Sequence, residues 1–536
     1  MCDVLNSEFE GIAASAFRKF PMTATDDSTV TGESEKLTPV QTFYNGKSIF
    51  ITGGSGFLGK VLIEKLLRSC PGVNTIYILL REKKGKSVEE RIKELTSDII
   101  FNELKRTDPN FAKRLVIIRG DCSQVGLGIS EEDRKLLIEN VNIVFHVAAT
   151  VRFHEALKVA MALNVSATQY VIDLCFNIKN LESFCYVSTA YSFCCNKHVQ
   201  EEVYDLTPYF DRAQKAVKEL SDEEVDQQLN SILGNWPNTY TFTKAYAESL
   251  VKKAEGKLPI CIFRPAIVAS ILSDPLPGWV DSYLGPTGIV IGAGCGIVRV
   301  LYCKKDITAD IVPVDFVING MLVACYEAGK NFRNDDKKLA VYNYVSSTDN
   351  ALKFRNFEFY LKKCGITIPS TKAVWYYSLI LCGNRSLSQI LLILLHWMPA
   401  LLIDTAAVLL GKQPVMIRLY KKVHKMLGAL AFFTTTPFRF DTYNVRSLWN
   451  RTSEDDKKLF NFDIKSVDWE QYLSNYVKGA RIHVLKEDMS TLTDARKKWN
   501  RLYWYHQIVK SVFFVLGLCI IWLLIKKVFY TIWWLV

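Results

Sequence analysis

The chain has 536 residues, 49% apolar and 23% charged, so most of it folds, and its length suits about two to four domains. Its formal charge of +11 suits anionic lipid headgroups or a phosphate-bearing substrate, whereas the lack of zinc-finger spacing and of a long Arg-rich tract argues against a nucleic-acid partner. The 14 cysteines are scattered without a disulfide framework, no metal centre is expected, and the start Met1-Cys2-Asp3-Val4 carries no apolar run; a secretory signal peptide is not expected, and the folded part is expected to face a reducing cytosol.

Residues 1–40 are rich in Ser, Thr, Glu and Asp and read as a disordered tail. From Lys47 short apolar runs bounded by turns predict strands at Ser48–Thr52, Thr75–Leu80, Leu115–Arg119, Ile143–Val147, Phe184–Val187 and Ile260–Phe263. Amphipathic stretches such as Lys60–Ser69 and Val88–Asn102 lie between them. This alternation predicts an α/β fold with a doubly wound, parallel Rossmann sheet, and a nucleotide-binding domain over residues 41–370. A loop rich in Gly and Pro follows at 274–300 and is expected to serve the substrate. Residues 371–490 read as a mainly helical domain. Within it Leu387–Leu410 is nearly free of charge, interrupted by His396, Pro399 and Asp404. A buried hairpin, a bilayer-dipping segment and the wall of a lipid site all fit that pattern.

Residues 491–536 read as a linker and a C-terminal transmembrane anchor, and an in-plane anchor fits as well. Ser511–Ile525 carries no charge and would form a helix of about 22 Å, short of a hydrocarbon core of about 30 Å. Extension through Lys526 and Lys527 supplies the length, at about 2.5–3.5 kcal/mol for a central Lys that does not snorkel. Arg496, Lys497, Lys498, Arg501 and Lys510 flank the upstream side and place the bulk of the protein in the cytosol.

The chemistry starts at Thr52-Gly53-Gly54-Ser55-Gly56-Phe57-Leu58-Gly59, after the first strand and at the start of a helix. Glycine is needed where the turn is tight, where backbone meets a pyrophosphate and where helix packs on strand; the helix N-terminus then offers N–H groups to the phosphates. At the end of the second strand Arg81 is placed to pair with a 2′-phosphate, which favours NADPH, while Glu82 keeps NADH open. Asp121, after the third strand, can accept from an adenine amine. Ala148 and Ala149, after the fourth, let a cofactor lie close to backbone. Tyr240 and Lys244 share a helix face at i,i+4, and a neighbouring cation is expected to lower the phenol's pKa. Ser188 and Thr189 end the fifth strand, where either hydroxyl can donate to a substrate carbonyl, Thr189 being preferred. Cys194 and Cys195 read as small buried hydrophobes.

With these motifs stand His146-Val147-Ala148-Ala149-Thr150-Val151-Arg152-Phe153, Phe263-Arg264-Pro265, Pro277-Gly278-Trp279-Val280-Asp281 and Asp310-Ile311-Val312-Pro313-Val314-Asp315. Across about residues 40–490, including Trp449, Phe462-Asp463 and Asp468-Trp469, the chain resembles the animal alcohol-forming fatty acyl-CoA reductases of the extended short-chain dehydrogenase/reductase superfamily. Cys295 departs from the Lys that family members often carry. The resemblance implies that a long-chain acyl-CoA is reduced by two NADPH to a primary alcohol, through a bound aldehyde, with release of coenzyme A. It implies catalysis by Tyr240, Lys244 and Thr189 or Ser188, and cofactor contacts from Thr52 to Gly59, Arg81, Asp121, Ala148, Ala149, Tyr240, Lys244 and Pro265. The expected partners are the acyl-CoA and a membrane, of endoplasmic reticulum or peroxisome, with a homo-oligomer left open. A membrane-linked hydroxysteroid dehydrogenase and a non-catalytic nucleotide-binding scaffold are the competing readings.

Overall fold

The computed structural model describes residues 36–83 and 85–535, and Thr38–Val536 forms one compact unit. Most of the expected tail, residues 1–35, lies outside the described residues. Its last two residues are ordered in a helix, Pro39–Tyr44, which Thr38 opens with a capping box to Gln41.

Seven parallel strands form the central sheet: β1 Ser48–Thr52, β2 Thr75–Leu80, β3 Leu115–Arg119, β4 Ile143–His146, β5 Ser183–Val187, β6 Ile260–Pro265 and β7 Ala340–Tyr344. Their order is β7-β6-β5-β4-β1-β2-β3. The doubly wound expectation holds, with a seventh strand that the apolar runs did not reveal. Successive side chains alternate between two cores, as the period of a strand dictates. Ile49, Ile51, Ile78, Phe145 and Val187 enter one core; Phe50, Tyr77, Val144, Phe184 and Tyr186 enter the other. Helix α1 (Phe57–Ser69) lies in the first core, and α2 (Thr239–Lys253) lends Ala247 and Val251 to the second. Helix α3 (Val314–Arg333) packs across β5 and β6 on the α1 side.

The strand order reverses between β1 and β4. Loops leaving the C-terminal ends of these two strands diverge, and the crevice between them is where sheets of this kind hold ligands. The loop expected across 274–300 is partly helical: Pro286–Gly294 forms a helix despite its three glycines. Gly288 and Gly292 let it approach Met426 and Val298, because a Cβ on either would lie 2.7 or 2.6 Å from those side chains.

The C-terminal part is helical and interleaved with the sheet domain. Val300–Tyr302 pairs with Ile380–Cys382, and His198–Val199 pairs with Arg439–Phe440. Phe462, Trp469, Tyr472 and Tyr476 share the first core. Trp449 meets Phe462 edge-on at 4.9 Å, and Trp469 Nε1 donates to Asn350 at 2.8 Å, so these aromatic motif residues fasten the helical part to the sheet. Helix α4 (Arg385–Leu409, with a π turn at Ile393–Trp397) and helix α5 (Met416–Thr435) form a hairpin. Helix α6 (Leu492–Leu535) runs on without a break, about 66 Å long. Its first turns dock through Trp499 against Tyr376, and Lys498 donates to the Thr371 carbonyl at 2.7 Å. Beyond Ser511 its described side chains are almost all exposed. The helix continues through Lys526, whose ammonium lies over the Trp522 and Tyr530 rings at 5.2 and 5.8 Å.

Candidate active site

The glycine-rich turn closes on itself: Gly56 N donates to Gly53 O at 2.9 Å, and Gly56 caps α1 without a side-chain acceptor. The first amides of α1 are therefore left for a ligand. Gly53 has φ +78° and sits against β4's continuation, where a Cβ would come within 2.7 Å of Ala148 N. Gly59 meets the turn from the helix side, where a Cβ would lie 2.2 Å from Gly53 O. The three-glycine spacing thus serves one close junction of turn, helix and β4 end. It brings Gly53 and Ala148 together.

The Thr52 side chain turns into the protein. Its side chain is fully buried; Oγ1 pairs with His146 Nδ1 at 2.6 Å and accepts from Ala148 N at 3.3 Å. The hydroxyl therefore sets the spacing between the β1 and β4 ends from beneath. His146 is held neutral, its pKa pushed down to about 3 by burial and by the nearby Lys244. Phe57 stacks on Trp279 at 5.5 Å, and Asp281 meets Lys60 at 3.2 Å, so the Pro-Gly-Trp-Val-Asp motif clasps the start of α1. Asp315 accepts from the amides of Leu272 and Ser273 at 2.9 Å each, fixing the point where the 274–300 segment leaves the sheet.

At the β2 end Arg81 pairs with Asp121 at 2.7 Å. Burial pushes the Asp121 carboxyl up, but bonds from Ser123 and Arg81 outweigh it and hold the pKa below the usual range. A second guanidinium stands here that sequence reasoning missed. Arg91 reaches back from its helix to Ser55 Oγ of the glycine turn at 2.8 Å and to the Arg81 carbonyl at 2.5 Å. Only its place ten residues after Arg81, one turn into a helix, could have suggested it.

Tyr240 and Lys244 lie in the first turns of α2, which Asn238 caps by accepting from Thr241 N at 2.9 Å. Of the two candidate hydroxyls, Thr189 is the one near enough to the Tyr240 phenol to lower its pKa. Ser188 points the other way, into a buried bond with Glu248, and so leaves the place expected of it. Adjacent residues leaving a strand face opposite sides, which is why one hydroxyl meets the site and the other the interior. Glu248 in turn holds Arg264, whose Nε lies 3.0 and 3.1 Å from its two oxygens, and both side chains are fully buried. Arg264 also donates to the carbonyls of Gln200 and Glu202 at 2.9 and 2.7 Å. The Phe263-Arg264-Pro265 motif is thus a fastening beneath the site, with Pro265 closing β6 and its carbonyl accepting from Ala190 N.

Lys244 is buried, donating to the Val187 carbonyl at 2.7 Å and to Tyr186 Oη at 3.4 Å. Burial pulls its pKa down to about 7, against the raising effect of Glu248. The Tyr240 phenol is also enclosed, and burial pushes its pKa up to about 12, only partly offset by the neighbouring Thr189 hydroxyl. The expected depression of the phenol by Lys244 is therefore not seen: desolvation governs both groups. A protonated phenol is a proton donor at neutral pH. Phe153 stacks on the Tyr240 ring at 5.8 Å. Burial likewise pushes the Cys194 thiol to about 12, which makes it a poor nucleophile. Cys295 is buried too, beside Ser370 and near Glu487, so a longer side chain at this position would first meet protein.

Two family models match this arrangement, both described as male sterility protein: an NAD-binding one over residues 51–321 and one named Sterile over residues 395–487. The chain is 39% identical to fatty acyl-CoA reductase wat of Drosophila melanogaster over 91% of this chain and 94% of that protein. It is 38% identical to fatty acyl-CoA reductase 1 of Homo sapiens over 87% of this chain and 90% of that protein. The chain belongs to the fatty acyl-CoA reductase family. It is an oxidoreductase, and its sheet domain binds a nicotinamide cofactor. Among solved structures the reductase matches the fold of the reductase domain of a non-ribosomal peptide synthetase from Mycobacterium tuberculosis, with TM-score 0.56 at 18% identity, over 84% of this chain and 96% of that one. The terminal reductase domain of the myxalamid pathway shares the fold at TM-score 0.53 and 20% identity, over 82% and 92%.

Proposed function

We propose that the reductase uses NADPH to reduce a long-chain fatty acyl-CoA to the primary alcohol, releasing coenzyme A. The observation that carries this is the pair of neighbouring hydroxyls, Thr189 just after β5 and Tyr240 on α2, in a chain of this family. The cofactor fit rests on the glycine junction, where a Cβ on Gly53 or Gly59 would collide with backbone, and on the open helix N-terminus. Arg81, once released from Asp121, and Arg91, close enough to Arg81 to feel its charge, are two guanidiniums at the β2 end suited to the 2′-phosphate of NADPH.

NADPH, when bound, supplies hydride, two equivalents for each acyl group carried to the alcohol. The Thr189 and Tyr240 hydroxyls donate to the thioester oxygen and stabilise the negative charge that develops there. The resulting thiohemiacetal expels the coenzyme A thiol and leaves an aldehyde held by the same hydroxyls. Tyr240, protonated at neutral pH, gives its proton to the alkoxide in the second reduction. Lys244, with a pKa of about 7, titrates within the working range and can return a proton to the phenol or hold the nicotinamide ribose. Helix α6 is long and apolar enough to cross a membrane, with mean hydropathy 2.7 in its apolar part. It anchors the enzyme where long acyl chains partition, with the sheet domain in the cytosol.

Full-length protein incubated with NADPH and a panel of acyl-CoAs of different chain lengths tests this. Expected are free thiol, fatty alcohol and two NADPH consumed per alcohol. Absence of acyl-CoA-dependent NADPH oxidation across the panel, or oxidation driven by sterols instead, contradicts it.

A further inference from the structure

Helix α4 is built inside out. Its inward residues Ser388, His396, Ala400 and Asp404 are buried, and three of these four are polar. Its outward stripe is Leu387, Ile390, Leu394, Leu401, Leu402 and Leu409, all exposed, with Leu402 at 68% and Leu409 at 82%. A helix resting on a protein core and facing water carries the opposite pattern. The inward polar groups are satisfied within the protein. His396 Nε2 accepts from Arg299 N at 3.0 Å, and its Nδ1 meets His424 Nε2 at 3.0 Å. Asp404 accepts from the amides of Val415, Met416 and Ile417 at 2.8–2.9 Å, which caps α5 and fixes the hairpin. An exposed apolar stripe of this length marks an interaction surface.

Charge and continuity say what covers it. Helix α5, antiparallel beside α4, exposes Arg418, Lys421, Lys422 and Lys425 at i, i+3, i+4 and i+7, and Lys412 lies exposed in the hairpin turn. Basic residues on one helix and leucines on the next are the two halves of a membrane-interface surface: acyl chains take the leucines and anionic headgroups the ammonium groups. The stripe is also linked to the C-terminal helix. Arg299 donates to Leu395 O at 3.2 Å and lies over the Trp375 ring at 5.3 Å. Trp375 Nε1 donates to His506 at 3.1 Å, five residues before the apolar run of α6 begins. Two exposed apolar surfaces thus meet through one chain of contacts.

We propose that the α4–α5 hairpin lies in the plane of the membrane, with its outward leucines in the acyl region of an anionic phospholipid leaflet. It does not span: its inner face meets the protein at Ser388, His396, Ala400 and Asp404, and both hairpin ends are tied down, by the Val300–Tyr302 pairing and by Thr434 Oγ1 donating to Tyr302 O at 2.8 Å. Helix α5 then runs about 26 Å from Met416 to Phe433. Phe433 lies 5.5 Å from Phe153, the ring that stacks on Tyr240. The hairpin therefore joins the leaflet to the approach of the site, and an acyl chain enters from the bilayer without crossing water.

The proposal rests on α6 being a membrane anchor, and the test separates the two. Full-length protein is reconstituted in phosphatidylcholine–phosphatidylserine vesicles that contain a lipid with a diazirine in its acyl chain, irradiated and mapped by peptide mass spectrometry. Lipid adducts are expected on 398–410 as well as on 511–525. Leu402→Glu with Leu409→Glu is expected to abolish the first set and keep the second, while turnover of a short, soluble acyl-CoA shows that the variant is folded. Adducts on 511–525 alone overturn the hairpin proposal and leave the anchor standing. Adducts on 398–410 alone refute the anchor and support the hairpin. Cross-linking of 398–410 to a second copy of the chain in place of lipid also overturns the proposal.

Discussion

Substituting Gly59 by Ala strikes the junction on which cofactor binding rests. The new Cβ would lie 2.2 Å from Gly53 O and 2.6 Å from Gly54 Cα, whereas carbon contacts settle near about 3.5–4.0 Å. Both obstacles are backbone, so no side chain can rotate away, and α1 must retreat from the turn by about 1 Å or more. Overpacking of this kind costs about 1–3 kcal/mol, with the upper half of that range expected here. The retreat also moves the amides of α1 away from the pyrophosphate. A loss of 1.4 kcal/mol in binding is tenfold in Kd, so NADPH affinity should fall by at least about tenfold. Titration of the purified protein with NADPH, followed by quenching of its tryptophan fluorescence, measures this. Gly428→Ala is the control: it sits within α5, its Cβ would meet nothing within 4 Å, and it should stabilise by about 0.5–1 kcal/mol with Kd unchanged. A Gly59→Ala protein that binds NADPH as tightly as its parent would refute the account of the turn.

Three further outcomes follow from the site. Arg91→Ala should raise the Kd for NADPH about tenfold, the worth of a charge-assisted pair or two, and leave the weaker NADH binding nearly unchanged; equal losses for both would place Arg91 outside the 2′-phosphate site. Glu248→Ala leaves the buried Arg264 guanidinium unpaired and should cost about 3–5 kcal/mol in urea denaturation, while a loss below about 1 kcal/mol would show the pair to be dispensable. Lys244 gives a pH signature: the unfolded lysine keeps its proton to about 10.5, the folded one only to about 7, so between these values the unfolded state binds more protons and stability rises with pH. The melting temperature of the cofactor-free enzyme, measured relative to Lys244→Met, should climb from pH 7 to 9, and a flat difference would contradict the burial of a titrating ammonium.

Six strands were legible because each is a short run of branched apolar residues closed by a turn, such as Ile49-Phe50-Ile51. The seventh, Ala340–Tyr344, was not, because Asn343 interrupts its apolar pattern. That amide is buried and bonds Arg264 and the carbonyls of Val199 and Asp441, contacts that only the folded chain assembles. The helix Pro286–Gly294 was read as loop for a similar reason: its glycines, poor helix formers alone, are required by neighbours distant in sequence. At the site the residue types were legible and their electrostatics were not. Spacing placed Tyr240 and Lys244 on one helix face, but their pKa shifts follow from burial, which spacing does not report. Thr189 was preferred over Ser188 in sequence, but the two hydroxyls separate cleanly only when the strand's alternation is fixed in space. In α4 the apolar run was plain, but that its outward face is the apolar one follows only from the packing of Asp404 and His396.

Tyr240→Phe, assayed with NADPH and a long-chain acyl-CoA alongside a direct measurement of NADPH affinity, tests the central claim most directly. Removing one hydroxyl leaves the ring stack on Phe153 and the glycine junction intact, so the account predicts NADPH bound as tightly as by the parent and alcohol formation reduced at least about a hundredfold, the scale of losing a single oxyanion donor. Fatty alcohol formed at the parent's rate by this variant would contradict it.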